Sequence, residues 1–308
     1  MDKVRVAIVQ AKPVYLDLEG CLKKVASFAE KAAKKESQLI VFGETWLPGY
    51  PAWLDFCPNM GLWDHEPTKE VFARTFENSL EVPGPAVDRL AEIAGDLGVA
   101  MVIGINERVS TGSLYNSILS FDGEGKLRNH HRKLMPTYTE KLLHNLGDGA
   151  GLKAIDYSFG KVGSLICWEH WMPHTRQAMH DQGEKIHIAL WPKVHEMHQV
   201  ASRHYAFEGR CFVLAAGQLL QASDIPDELE LPKELKKKPE TYVLNGGSCI
   251  IGPDGYYIKE PLWEKESLIF AELDLRKTLK EKMNLDVSGH YARPDVFSFE
   301  VNRERKHD

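Results

Sequence analysis

Short apolar runs rich in β-branched residues alternate with segments of helical periodicity, and this alternation restricts the folds open to the chain. The strand-like run Val4–Gln10 is followed by helical spacing over Leu18–Lys35 and by a second strand over Leu39–Phe42. A helix is predicted over residues 85–98, stopped by a glycine, before a strand over Val99–Ile105. The first half therefore reads as β-α-β units of an α/β protein.

The second half has the same alternation. Strands are predicted over Lys161–Ile166, Ile186–Trp191 and Cys211–Ala216, with helices over Pro173–Gln182 and Ala201–Glu208 between them. Helices that alternate with strands in this way connect parallel neighbours in a sheet.

Two hairpin signals modify this picture. Asp122-Gly123 follows the predicted strand Leu114–Phe121, and Pro253-Asp254-Gly255 follows Ser248–Ile251. A last strand is predicted over Leu268–Leu275. Because hairpins join antiparallel strands, the sheets are predicted to be mixed rather than purely parallel.

Two segments have no regular pattern. Gly49–Pro67 carries aromatic residues among prolines and is predicted to line a pocket. Ser223–Glu240 is dense in charge and proline, and it is interpreted as a solvated surface excursion.

Length and charge limit the function classes. A chain of 308 residues is predicted to form a single domain over residues 1–308. A formal net charge of -6 gives no basic field for phosphates, which argues against nucleic acid or an anionic membrane as partner and favours a small molecule. No apolar run approaches the roughly 20 residues of a membrane span, and no signal peptide is recognised, so a cytoplasmic location is expected.

Cysteine and histidine spacing argues against a metal or a cofactor. The 5 cysteines are widely separated without a C-x-x-C pair, which indicates a reduced compartment. His195 and His198 are three positions apart, whereas the helical zinc motif needs histidines four apart. No glycine-rich phosphate loop or dinucleotide fingerprint is found either, so no metal and no cofactor are predicted.

Unusual polar residues lie just beyond two of the predicted strands. Glu44 follows the strand Leu39–Phe42, and Cys167 follows the strand that ends at Ile166. Side chains at such strand ends meet in the clefts of α/β proteins. Because Pro173 is suited to begin the next helix, the thiol is expected to face a helix N-terminus, which would lower its pKa.

Three segments together resemble the nitrilase superfamily. They are Phe42–Pro51, His131–Thr137 and Ile166–His170, which occur in that family's order within a β/α pattern that covers essentially the whole chain. Lys133, in the second segment, is on composition alone more simply part of a surface basic run. The resemblance implies a four-layer α-β-β-α sandwich in which Glu44 is the base, Lys133 the electrophilic lysine and Cys167 the nucleophile.

The resemblance also implies a second glutamate, which matches Glu140. A lysine desolvated in a cleft tends to lose its proton, so a carboxylate beside Lys133 is needed to keep it charged. Thr137 and Glu140 also have the spacing of a capping box that would begin a helix, and the residues alone leave both roles open.

Cys167-Trp168-Glu169 resembles the nitrilase branch of the superfamily. That branch implies a small organic nitrile hydrolysed to carboxylic acid and ammonia through a thioimidate and a thioester, by a homodimer or larger homo-oligomer. An amidase or carbamoylase with the same residues, or a catalytically silent binding protein, is the alternative. Candidate substrate-binding residues are Trp168, through its backbone N–H, and Trp46, Tyr50, Trp191 and Pro192, for which ordinary core packing is an equal interpretation.

Overall fold

Two mixed sheets form the body of the molecule. The structure is a computed structural model that describes residues 3–306. In chain order the strands are β1 (Lys3–Gln10), β2 (Leu39–Phe42), β3 (Ala100–Arg108), β4 (Leu114–Phe121), β5 (Leu127–Arg132), β6 (Ile155–Tyr157), β7 (Gly160–Ile166), β8 (Ile186–Leu190), β9 (Phe212–Ala216), β10 (Leu219–Gln221), β11 (Tyr242–Ile251), β12 (Tyr257–Trp263) and β13 (Ser267–Asp274).

The α-helices cover the outer faces of these sheets and the loops at their ends. In chain order they are α1 (Leu18–Ala33), α2 (Trp53–Phe56), α3 (Glu66–Glu77), α4 (Pro85–Leu97), α5 (Pro173–His180), α6 (Glu196–Gly209), α7 (Lys233–Lys236) and α8 (Arg276–Glu281). Within residues 3–306, no helix is long and apolar enough to cross a membrane.

The strand orders confirm the mixed-sheet prediction. One sheet has the order β13-β1-β2-β3-β4-β5, and the other has the order β10-β11-β9-β8-β7-β6 with β12 paired to β11. β1, β2 and β3 are parallel in the first sheet, as are β7, β8 and β9 in the second. The remaining pairs are antiparallel, including the predicted hairpins β4-β5 and β11-β12.

Side-chain alternation along the strands produces four layers. On β1, Val4, Val6 and Ile8 pack into a core shared with the second sheet, whereas Ala7 and Val9 pack into a core shared with α1 and α4. The second sheet packs its other face against α5 and α6. The order of layers is therefore α-β-β-α, which confirms the predicted sandwich.

Local signals explain where several helices begin and end. The Asp17 side chain accepts a hydrogen bond of 2.9 Å from the Gly20 N–H at the start of α1. Proline occupies the first position of α4 and α5. Gly98 ends α4 with φ of +64°, a left-handed conformation that glycine adopts without steric cost.

Three segments differ from the sequence-based expectation. Gly49–Pro67 was expected to be irregular, but it contains α2 and the start of α3. Helix α3 gave no clear helical pattern because its buried face includes the polar residue Thr75. Ser223–Glu240 is not merely solvated, because Ile225 and Leu229 are buried in a third apolar cluster. Helix α6 begins earlier than predicted because its cap is a histidine side chain rather than one of the usual capping residues.

The ends of three strands place the candidate site. Glu44 lies two residues beyond the end of β2, while Lys133 and Cys167 directly follow β5 and β7. β2 and β5 belong to the first sheet and β7 to the second. The candidate residues therefore meet where the two sheets face each other.

Replacing Gly104 of β3 by alanine should disturb the Glu44 turn. An added Cβ would lie 2.4 Å from the Gly43 carbonyl oxygen and 2.8 Å from the Glu44 Cα, and backbone atoms cannot move aside cheaply. We expect Gly104→Ala to lower the free energy of unfolding by about 1–3 kcal/mol in urea denaturation, the usual cost of overpacking. Gly61→Ala is the control, because no atom lies within 4 Å of its added Cβ; equal stability of the two variants would contradict the prediction.

Candidate active site

Glu44, Lys133, Glu140 and Cys167 converge in one buried cluster. The Lys133 ammonium donates to the Glu44 carboxylate at 2.9 Å and to the two oxygens of Glu140 at 2.7 and 3.0 Å. A carboxylate oxygen of Glu44, a carboxylate oxygen of Glu140 and the sulfur of Cys167 all lie within 4.8 Å of one another. The four side chains named from the sequence thus lie within contact range of each other, with exposed fractions of 0% to 4%.

Glu44 is held on a tight turn at the end of β2. The next residue, Thr45, has φ of +43°, and the Gln218 side-chain amide donates to the Glu44 carbonyl oxygen. The Asn116 amide donates to the Glu44 carboxylate at 2.7 Å. Burial raises the pKa of Glu44 to about 7, although Lys133 opposes the shift. Glu44 can therefore exchange a proton near neutral pH.

Lys133 keeps its charge although it is buried. Burial alone would lower the pKa of Lys133, but the acidic groups around it, Cys167, Glu140 and Glu44, outweigh burial and raise the pKa well above its ordinary value. Near neutral pH the two carboxylates are the groups that supply negative charge, because the Cys167 thiol is protonated. The ammonium donates to both glutamates. It is placed to donate a proton or a hydrogen bond to a reacting atom beside it.

Glu140 contacts both the lysine and the backbone of its own helix. Its carboxylate accepts from the Thr137 N–H at 2.9 Å at the start of a 3-10 helix, Tyr138–Leu142. The Tyr50 hydroxyl also donates to it, at 2.9 Å. Burial would raise the pKa of Glu140, but Lys133 lowers it below the ordinary value, so Glu140 stays ionised. The capping contact and the lysine contact expected from the sequence are present together.

Cys167 occupies a left-handed turn directly after β7, with φ of +51°. Burial and the neighbouring Glu44 raise the pKa of its thiol well above the ordinary value. The expectation of a pKa lowered by a helix N-terminus is wrong, because a 3-10 helix, Cys167–Trp171, separates the thiol from α5, which begins at Pro173. The thiol rests protonated and needs a base, and Glu44 is the adjacent group that titrates near neutrality.

Glu169 ties the two sheets together beside the cluster, a role that the sequence analysis missed. Its carboxylate accepts from the Leu134 N–H at 2.8 Å, after β5, and from the Ile166 N–H at 2.7 Å, at the end of β7. It also contacts His131 Nε2 at 2.9 Å. The available signal was an acidic residue two positions after Cys167. No such signal marks Asn116, which lies inside a predicted strand.

An open cleft leads to the cluster. Its volume is about 310 Å³, and it is lined by apolar and charged side chains. The lining residues are Tyr50, Asp55, Phe56, Thr137, Tyr138, Thr139, Glu140, Cys167, Trp168, Pro192, Lys193, His195, His198 and Leu244. Three of the candidate wall residues, Tyr50, Trp168 and Pro192, are among them.

Trp46 and Trp191 lie behind the cleft wall instead of lining it. Trp46 packs edge-on against Phe42, with ring centroids 5.1 Å apart, and its indole N–H donates to a backbone carbonyl. Trp191 is stacked between His170 and His198, at 4.8 and 4.2 Å. Both tryptophans are fully buried, so core packing accounts for them.

The donor set near Cys167 does not favour a metal ion. Glu44, Glu140 and the Cys167 thiol are close enough to share one. However, the Lys133 ammonium already bonds to both carboxylates and repels a second cation from them. The two carboxylates therefore suit a site built around the Lys133 ammonium rather than around a metal ion.

Comparison with known proteins identifies the family. Residues 5–280 match the family model described as carbon-nitrogen hydrolase. The chain is 40% identical to a bifunctional nitrilase/nitrile hydratase of Oryza sativa subsp. japonica, over 97% of this chain and 84% of that protein. It is 36% identical to an aliphatic nitrilase of Sinorhizobium fredii (strain HH103), over 99% of this chain and 98% of that protein.

The fold is shared with solved structures as well. A crystal structure of a carbon-nitrogen hydrolase from Helicobacter pylori G27 aligns with a TM-score of 0.69 at 21% identity, covering 92% of this chain and 93% of that one. The fold, the family match and these relatives define a hydrolase that acts on carbon-nitrogen bonds. The chain belongs to the carbon-nitrogen hydrolase family, also called the nitrilase superfamily.

Removing the charge of Lys133 should destabilise the protein in a pH-dependent way. In Lys133→Met, two buried carboxylates lose their cation, and breaking such a pair costs roughly 3–5 kcal/mol. Their folded-state pKa values then rise, so the folded protein binds protons that the unfolded chain releases, and stability falls as pH rises. We expect a larger loss at pH about 8 than at pH about 5.5 in urea denaturation.

Lys69→Met is the matched control for this measurement. Lys69 also lies between two carboxylates, those of Asp64 and Glu66 at 2.6 and 3.0 Å, but the group is exposed to solvent. It should change stability little at either pH. A pH-independent loss in Lys133→Met would show that the carboxylates do not depend on the lysine charge.

Proposed function

We propose that this protein is a nitrilase that hydrolyses a small organic nitrile to the carboxylic acid and ammonia, with Cys167 as nucleophile. The proposal rests on one observation: two carboxylates hold the charged Lys133 beside a buried thiol. One of these carboxylates, Glu44, has a pKa of about 7 and can act as the base. The nitrilase names of the relatives support nitrile as the substrate. The sequence Cys167-Trp168-Glu169 supports the same branch.

The first step forms a covalent thioimidate. Glu44 takes the thiol proton, the Cys167 sulfur attacks the nitrile carbon, and Lys133 donates a proton to the nitrile nitrogen. Glu44 is then protonated and Lys133 neutral. The 2.9 Å contact between them lets the proton return to the lysine, so both groups are restored for the next step.

The remaining steps use two waters. Glu44 takes a proton from the first water as its oxygen adds to the thioimidate carbon, Lys133 protonates the nitrogen to an amine, and the proton on Glu44 returns to Lys133. Lys133 then protonates the amine, the new hydroxyl group gives its proton to Glu44, and the carbon-nitrogen bond breaks. Ammonia leaves and a thioester remains. A second water, activated in the same way, releases the acid and the Cys167 thiol.

Glu140 supports these steps through the lysine. It keeps Lys133 protonated between transfers and fixes the direction of the ammonium through two hydrogen bonds. Tyr50 in turn orients the Glu140 carboxylate and lines the cleft. The backbone N–H of Trp168 is proposed to stabilise the negative charge that develops on the substrate.

A panel of aliphatic, aromatic and arylacetic nitriles with their amides tests this function. For a good substrate we expect ammonia and acid in near-equal amounts, with amide a minor product, because Lys133 protonates the departing nitrogen. Chromatography and ammonia assay over a full time course give the ratio. Cys167→Ala should abolish turnover, while Cys57→Ala, which removes a buried cysteine that does not line the cleft, should keep it.

Other outcomes of the panel would change the assignment. Amide as the lasting main product would indicate a nitrile hydratase activity. Turnover of amides without nitriles would indicate an amidase that uses the same residues. Turnover by Cys167→Ala would remove the proposed nucleophile.

Activity should fall as pH decreases through about 7. Glu44 must be ionised to accept the thiol proton, and its pKa is raised to about 7, so acid removes the base. Asn116 hydrogen-bonds the carboxylate and favours its charged form. Asn116→Ala should therefore move the acid limb of kcat/KM upward by about one pH unit, since a hydrogen bond to a charged group contributes roughly 1.5–3 kcal/mol.

Asn129→Ala is the control for this pH profile. Asn129 is also a buried asparagine in the first sheet, but its amide bonds to the Gly151 carbonyl rather than to Glu44. It should leave the midpoint unchanged. An unshifted midpoint in Asn116→Ala would mean that Glu44 does not set the acid limb.

A further inference from the structure

A buried cluster of ionisable residues lies behind Cys167, and the proposed chemistry does not use it. His170, Glu184, His187 and Tyr205 are all at most 2% exposed. Burial of so many ionisable groups is unfavourable unless each is hydrogen-bonded. The contacts among them form a chain that ends on the backbone of the nucleophile.

The chain of contacts runs from Cys167 into the second sheet. His170 Nδ1 lies 2.7 Å from the Cys167 carbonyl oxygen, and His170 Nε2 lies 3.0 Å from His187 Nε2. His187 Nδ1 lies 2.9 Å from a carboxylate oxygen of Glu184. The Tyr205 hydroxyl donates to the other oxygen of Glu184.

The contact with the Cys167 carbonyl fixes the direction of the first hydrogen bond. A carbonyl oxygen only accepts, so His170 Nδ1 carries a proton and donates to it. Burial lowers the pKa of His170 well below its ordinary value, so the ring is neutral and its Nε2 accepts from His187. Glu184, which His187 contacts at Nδ1, also lies 3.5 Å from His180 Nδ1.

His170 therefore links the Cys167 turn to the core of the second sheet. It accepts from His187 at Nε2 and donates to the Cys167 carbonyl oxygen at Nδ1. Because hydrogen bonds in series polarise one another, the donor to the Cys167 carbonyl is strengthened.

The Cys167 turn needs such support. Its φ of +51° lies in the left-handed region, which is sterically strained for a residue with a Cβ. Glu169 secures the N–H before the turn, at Ile166, and His170 secures the carbonyl after it. The His170 ring is itself fixed by stacking on Trp191.

We propose that His170 and His187 form a positioning relay that holds the Cys167 turn and aims its sulfur toward Glu44 and the substrate. His170 and His187 are positioning residues, since neither touches the reacting atoms. The inference rests on the proposed role of Cys167 as nucleophile. It adds a requirement for an ordered chain of hydrogen bonds in the core of the second sheet.

Three variants test the link between His170 and Cys167. His170→Phe keeps a ring to stack on Trp191 but removes the donor, whereas His170→Asn places an amide N–H at the position of Nδ1. His174→Phe is the control, because His174 is exposed on α5 and stacks on Phe299. The measurements are thermal unfolding, kcat, KM and the rate at which iodoacetamide alkylates Cys167.

His170→Phe should lower both kcat and the Cys167 alkylation rate at least about tenfold, because small misplacements of a nucleophile are costly, with KM changed less than about threefold. His170→Asn should recover both rates to within about threefold of wild type, and His174→Phe should match wild type. A folded His170→Phe with a wild-type alkylation rate, or a folded His170→Asn as slow as His170→Phe, would overturn the proposal. Preferential alkylation of another cysteine in the wild-type chain would instead contradict the proposed function.

Nitrogen-detected NMR of the wild-type chain with labelled histidine gives an independent test. Near neutral pH we expect His170 to carry its ring proton on Nδ1, because Nδ1 donates to the Cys167 carbonyl oxygen; comparison with His187→Gln assigns the signals. This measurement does not depend on the folding of any His170 variant. A His170 ring that carries its proton on Nε2 would overturn the relay.

Discussion

The position of Lys133 between two carboxylates is the interaction on which the rest of the site depends. A lysine without water around it would give up its proton, and a thiol and two glutamates packed together would resist ionisation. Each group is tolerable only because of the others: the ammonium offsets the carboxylates, and the carboxylates keep it charged. The same arrangement leaves Glu44 with a pKa of about 7, so this carboxylate can both accept and release a proton near neutral pH.

That balance requires the side chains that follow three different strands to meet in one cluster. Glu44 and Lys133 come from the first sheet and Cys167 from the second, so the packing of one sheet on the other sets their separation. Polar contacts reinforce the apolar core at this point. Gln218 bonds to the Glu44 backbone from the second sheet, and Glu169 bonds to the end of β7 and to the segment after β5.

Much of this could be predicted from the sequence because it depends on local pattern. Alternating strands and helices with two hairpin turns predicted mixed sheets, and the segments around Glu44, Lys133 and Cys167 predicted which side chains would meet. What could not be predicted depends on distant contacts. Burial and the neighbouring Glu44, rather than a nearby helix, set the pKa of the Cys167 thiol. Trp191 belongs to the core because His170 and His198, which lie on different helices, stack on it.

The double attachment of Glu169 has a consequence for how the enzyme would fail on heating. A site carried on a loose loop melts before the body of a protein and loses activity early. Here Glu169 fastens the Cys167 turn to both sheets, so the turn cannot unfold on its own. Inactivation should therefore coincide with the separation of the two sheets, and the temperature at which activity is lost should follow the stability of the apolar layer between them.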